Sequence, residues 1–140
     1  MRKIWPCRTA AHLSIIASAA LLLGGCADLV VVGVDDVPFT GGLLMMRATV
    51  KNDGLRQAPA SSTKLEVSAA GAPFTQRAVM PTPPLARGQQ VDVQLWPFHL
   101  SGLVAVGQCI EARVCADSAD AVSEGWMWEG NNCRTKQFCR

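Results

Sequence analysis

The sequence predicts an all-β domain, an antiparallel β-sandwich of about seven short strands, preceded by an N-terminal signal-peptide helix. Two kinds of observation carry this. Short runs of alternating apolar and polar residues recur along the chain, each closed by a turn cluster, and none beyond the first residues has a helical period. Four cysteines are also spaced for a hairpin: Cys109 and Cys115 lie six residues apart, as do Cys133 and Cys139. Opposed residues of an antiparallel pair share a constant sum of residue numbers, and both Cys109/Cys139 and Cys115/Cys133 sum to 248. Residues an even number apart share a strand face, so one register sets both pairs on one side. Four cysteines allow three connectivities, which sequence alone does not separate. The register favours Cys109–Cys139 with Cys115–Cys133.

The first 25 residues read as a targeting device. Arg2, Lys3 and Arg8 form a positive start, and Ala10 to Leu23 is an apolar run, short for a membrane span, that ends in small residues. Leu23-Gly24-Gly25-Cys26 resembles a bacterial lipobox, in which the signal is cut before the cysteine and the thiol carries a diacylglycerol. The plainer alternative is an ordinary signal with an incidental cysteine. Several acyl chains on one residue anchor stably where a single chain does not. Ala27 stands where an aspartate would retain a lipoprotein at the inner membrane, so the resemblance implies a lipid-anchored protein of the outer membrane.

Removing that leader leaves residues 26–140, 115 in number, enough for one domain with one core. Three of the 13 basic residues and none of the 11 acids lie in the leader, so the remainder carries a formal charge of −1. The basic pI of the whole chain is therefore no argument for nucleic acid. Cys7 leaves with the leader, and an even set of four cysteines beyond Cys26 in an exported setting favours disulfides over metal.

The elements follow in order. Leu29–Val34 is a β-branched run closed by Asp35, Asp36 and Pro38, and 39–42 is a turn cluster. Leu43–Lys51 alternates, with Leu44, Met46, Ala48 and Val50 on one face. Asn52-Asp53-Gly54 supplies residues that tolerate positive φ and stop the strand. Thr63, Leu65, Val67 and Ala69 form the apolar face of a third strand, and Thr75–Met80 is a weak fourth. Pro81, Pro83 and Pro84 exclude a ladder there, because proline cannot donate. Arg87-Gly88 turns the chain into Gln89–Trp96, and Pro97–Gly107 is a loop holding His99. In the sixth strand Ile110, Ala112 and Val114 face inward, leaving Cys109, Glu111, Arg113 and Cys115 outside with Thr135 and Gln137 opposite. Phe138 faces the core. No helix is expected beyond the signal, and the architecture is Ig-like without the tyrosine corner of antibody domains, since the chain has no tyrosine.

The tip of the cysteine hairpin, Ala116 to Asn132, reads ADSADAVSEGWMWEGNN. It resembles the signature of the CARDB domain (cell adhesion related domain found in bacteria), at Asp117, Asp120, Val122, Glu124, Glu129, Asn131 and Asn132. Ala48–Gly54 and Leu85–Val93 resemble two further strands of that family. The four cysteines and an insertion around Trp126-Met127 depart from its pattern. The resemblance implies an Ig-like sandwich used for binding or display.

The chemistry of the remaining residues narrows function by exclusion. One histidine outside the leader, no G-x-S-x-G and no thiol left over offer no base–nucleophile pair, so no enzyme is expected. No phosphate cradle or basic–aromatic stripe points to a cofactor or nucleic acid. Cysteines six apart on a flat strand sit ~20 Å from one another, too far for one metal. Asp117, Asp120, Glu124 and Glu129 lack a calcium-loop spacing and read as acceptors that shape the tip. Trp126, Met127 and Trp128, with Glu124 and Glu129, form the candidate binding tip. Three readings stand for its indoles: contact with lipid headgroups, stacking on a sugar or peptide, or closure of the core. The expected function is a non-catalytic envelope lipoprotein with an Ig-like binding or adhesion module, its ligand a protein or glycan. The alternative is a structural or inhibitory periplasmic lipoprotein that engages a single envelope protein.

Overall fold

Seven of the alternating stretches pair as strands. The computed structural model describes residues 26–38, 43–69, 71–99, 104–122 and 129–139. β1 (Leu29–Pro38), β2 (Leu43–Asn52) and β5 (Gln90–His99) form one antiparallel sheet in the order β1-β2-β5. β3 (Ser61–Ala69), β4 (Thr75–Thr82), β6 (Cys109–Cys115) and β7 (Cys133–Cys139) form the other, in the order β4-β3-β6-β7. The expected signal-peptide helix falls outside the described residues.

The inner faces are those the alternation marks. Met46, Ala48 and Val50 of β2 meet Val93 and Leu95 of β5, and across the sandwich lie Leu65, Val67, Ile110, Ala112, Val114 and Phe138, all buried. Thr63 and Thr82 are buried among them and satisfy each other through a 2.7 Å hydroxyl hydrogen bond. One end of the core is plugged by Ala27, Ala58, Leu85, Ala116 and Val122, which come from chain segments outside the strands.

Several boundaries differ from expectation, and edge position explains most of them. β1 continues through Asp35 and Asp36 to Pro38, because as an edge strand it can point both acids at solvent. A bulge at Val32 shifts its register, which is why Leu29 and Val31 before it and Val34 after it all face the core. β4 keeps Pro81 opposite Ser62, since an edge strand has a side on which no donor is required. β5 runs past Pro97 to His99 instead of ending at Trp96, and the irregular register between Leu44 and Met46 absorbs the extra residue. A 3-10 turn, Glu129–Asn131, stands where no helix was expected and leads directly into β7.

The outer edges of the two sheets meet on one side through charge. Arg134 and Lys136 share the inward parity of Phe138, yet β7 is an edge strand, so they reach across to β1. Arg134 Nη1 donates to the Val32 carbonyl and Lys136 Nζ to the Val34 carbonyl at 3.0 Å. Lys136 also lies 3.8 Å from Asp36 and 4.0 Å from Asp35. Two free acceptors of an exposed edge are thereby capped by inward-pointing cations, a device that discourages edge-to-edge pairing.

Candidate functional site

Strand parity brings residues 26–28 and both flanks of the tip to one end of the sandwich. β1 leaves that end and β6 returns to it, so Ala116–Val122 and Asn131–Asn132 close beside residues 26–28. Asn131 Nδ2 ties the two together by donating to Asp28 Oδ2 at 3.4 Å, and the Ser118 hydroxyl lies 2.8 Å from that of Ser62 in β3.

Asn52 is the hub of this end. Its side chain is fully buried, and its Nδ2 donates to the Arg56 carbonyl at 2.7 Å and the Leu85 carbonyl at 2.9 Å. Its Oδ1 accepts from Gly54 N at 3.1 Å and Asp28 N at 3.3 Å. Four backbone groups from three segments, Asp28, the 54–56 loop and Leu85, therefore converge on one amide whose four hydrogen-bonding positions are all used. Positive φ, expected for this turn, is not what Asn52 supplies; among the described residues the non-glycine positions with positive φ are Asp117 (50°) and Asp120 (52°). Gly54 is needed for close approach. A Cβ there would sit 2.5 Å from Asp28 N and 2.6 Å from the Ala27 carbonyl carbon, and would strike the Cys26 carbonyl oxygen.

The first arm of the tip is built on Asp117. Its carboxylate accepts from Ala121 N at 2.9 Å and Val122 N at 2.8 Å, and its own carbonyl accepts from Asp120 N at 3.0 Å. This is the shape-holding role expected of the acids, realised in Asp117. It folds Val122 back into the core, a burial that contributes about 1.5–3 kcal/mol. Burial pushes the Asp28 carboxyl above its ordinary range, with the Asn131 hydrogen bond opposing and Asp53 adding to the rise. Asp28 Oδ1 and Asn132 Oδ1 meet no donor among the described residues.

The structure holds both disulfides in the register the numbering favours. Cys109 and Cys139 are 3.9 Å apart at Cα, and Cys115 and Cys133 are 4.0 Å apart. On the same outer face, Glu66 accepts from Lys64 at 2.9 Å and from Arg113 Nε at 2.8 Å and Nη2 at 2.6 Å. The Lys64 hydrogen bond, with Arg113 assisting, holds the Glu66 carboxyl below its ordinary range against its partial burial. Arg113 in turn stacks 4.2 Å from the Phe74 ring centroid.

Of the tip residues singled out for binding, Glu124, Trp126, Met127 and Trp128 lie outside the described residues, as does the side chain of Glu129. Cys26 is itself disulfide-bonded. Among the described residues no three histidine, cysteine or acidic side chains converge as metal ligands. Two contributors went unnoticed in the sequence, the Asn52 hub and the Arg134/Lys136 pair. The second was legible from its parity with Phe138.

The CARDB family model matches residues 26–136. No curated protein matches the chain. Among solved structures, a CARDB domain from Pyrococcus furiosus, determined in complex with di-metal ions, is similar at 22% identity. That match covers 81% of this chain and 88% of its own, with a TM-score of 0.55. A domain of a Methanosarcina acetivorans protein named for the cell surface matches at 23% identity over 81% and 91%, TM-score 0.58. A β-glucosidase from Thermotoga neapolitana matches at 16% identity over 81% of this chain and 16% of the enzyme, TM-score 0.51. At these identities the likeness is one of fold.

Proposed function

The chain belongs to the CARDB family, and from that premise we propose that it is a non-catalytic binding module of the bacterial envelope, tethered through a lipidated Cys26. The observation that carries this is the family match over nearly the whole sandwich. CARDB is a non-enzymatic, adhesion-related fold found in cell-surface proteins. The glucosidase likeness spans a small part of that enzyme and brings no activity with it. The ligand is a protein or a glycan, and the tip bearing Trp126, Met127 and Trp128, flanked by Glu124 and Glu129, is the surface proposed to take it.

Leu23-Gly24-Gly25-Cys26 supports the tether, and Ala27 after it supports an outer-membrane destination. A sulfur holds either a disulfide or a thioether, so the Cys26 disulfide must be absent from the acylated form. A second reading draws on the placement of the tip's flanks beside Cys26: the module then engages one envelope protein close to the membrane, within the periplasm. Proteinase K added to intact cells tests the choice. An adhesin is degraded from outside; a periplasmic module stays protected until the outer membrane is permeabilised. Cys26→Ser tests the tether, and is expected to leave an uncleaved, unlipidated precursor.

A further inference from the structure

The two sheets end in the edge strands β1, β5, β4 and β7, and three of these edges are closed. On one side of the sandwich Arg134 and Lys136 of β7 reach the Val32 and Val34 carbonyls of β1 and bridge the two edges there. On the other side β4 packs against β5. The β4 ladder is irregular between Leu65 and Glu66 of β3, and Pro81 stands opposite Ser62. Ser118 N, just beyond β6, takes the Ser62 carbonyl at 2.9 Å. Ser62 therefore turns its backbone away from β4, and Pro81 faces the free edge, to which it brings no donor.

β5 has no such guard. Asn52 N donates to the Gln89 carbonyl at 2.9 Å, and the next pair along is Lys51 with Gln90. Hydrogen-bonded pairs alternate along an antiparallel ladder. Val91, Val93 and Leu95 thus bond to β2, while Gln90, Asp92 and Gln94 turn N–H and C=O to the free edge. All three are exposed, and the register is unbroken from Gln90 to Leu95, with no proline and no inward-pointing charge. Three donors and three acceptors stand in a row about 13 Å long. The inward residues Val91 of β5 and Met80 of β4, the two edge strands of this side, are only partly covered.

We propose that the free edge of β5 is a strand-addition site for an extended segment of a partner protein. The main chain supplies the attraction and the side chains set the choice. Residues opposite Gln90, Asp92 and Gln94 face solvent, and a lysine opposite Asp92 meets the opposite charge. Residues opposite Val91 and Val93 face the sandwich and suit small apolar side chains. A second copy of this chain fits less well, because the one two-fold register that pairs all three residues sets Asp92 against Asp92. The site runs along a side of the sandwich, apart from the tip, and needs no lipid at Cys26.

The probe is a capped peptide of threonine, valine, lysine, valine and threonine, titrated to millimolar concentration into the purified, processed protein. Amide NMR and hydrogen exchange follow it. In the free protein the Gln90, Asp92 and Gln94 amides are expected to exchange fast and those of Val91 and Val93 slowly. With peptide, the first three shift downfield and gain protection. The same peptide N-methylated at the lysine and both threonines is expected to do neither. Asp92→Pro removes the central donor and should abolish the shifts at Gln90 and Gln94; the N-methylated peptide makes the same test without altering the fold. Amides of Gln90, Asp92 and Gln94 already protected in the free monomer would overturn the open edge. A peptide that shifts no β5 amide, or that binds equally well when N-methylated, would overturn strand addition. Protection that rises with protein concentration alone would make a second copy the occupant and overturn the partner segment.

Discussion

Single side chains decide whether this end of the sandwich closes. Asn52 fills four hydrogen bonds from a site with no solvent access, so Asn52→Ala strands the Arg56 carbonyl and the Asp28 and Gly54 amides at once, while the Leu85 carbonyl keeps its bond from Ala58 N. At 1–3 kcal/mol for a buried unpaired group, partly relieved by water at the rim, the expected loss is about 3 kcal/mol or more. Denaturant unfolding of the domain measures it. Asp28 works in the opposite sense. Its folded-state pKa is raised, so between the unfolded and folded values the native state binds more protons, and this group's contribution falls as pH rises through that window. Asp28→Asn is therefore expected to raise the melting temperature at pH 7, with the gap to wild type closing as pH falls below the ordinary carboxylate range. An unchanged gap across the titration would mean that the carboxyl is not desolvated. Neither role is visible in the string of letters. Asn52-Asp53-Gly54 reads as a turn, and only the arrival of residues 26–28, 56 and 85 from elsewhere turns the amide into a hub.

Elements were more legible than residues, for a local reason. The period-2 pattern names the inner face of each strand, and the shared sum of the cysteine numbers names the β6–β7 register, because both are properties of neighbouring residues. Strand ends were misread where long-range position overrules local preference. Pro81 and Asp35-Asp36 sit in β4 and β1 because those strands are edges, and edge position is a fact about the whole sheet. The staples give a test at this scale. Each disulfide contributes about 2–4 kcal/mol through the unfolded chain, but Cys115–Cys133 nests inside Cys109–Cys139. With either one closed, the other shuts a shorter loop. Replacing both pairs by serine is therefore expected to cost more than the two single-pair losses added together. The capped edge gives another. Arg134→Ala with Lys136→Ala frees the Val32 and Val34 carbonyls, with an expected loss of about 1–2 kcal/mol and concentration-dependent self-association in light scattering.

At the scale of the whole molecule, connectivity places function. An even-numbered strand carries the chain back to the end where β1 began, so both flanks of the tip must close beside Cys26. That much followed from counting strands, and the Asn131–Asp28 contact is its consequence. What the tip binds was not legible, since the residues that would touch a ligand are few and lie on a loop whose shape no period encodes. Both readings of its function share one premise, a folded, doubly stapled CARDB module tethered at Cys26. Intact and non-reducing peptide mass spectrometry of the protein extracted from its native membrane tests it most directly. The expected result is a chain beginning at Cys26 with diacylglycerol on its sulfur, together with Cys109–Cys139 and Cys115–Cys133 peptides. A mature chain starting elsewhere, or an unacylated Cys26 still in a disulfide, would contradict it.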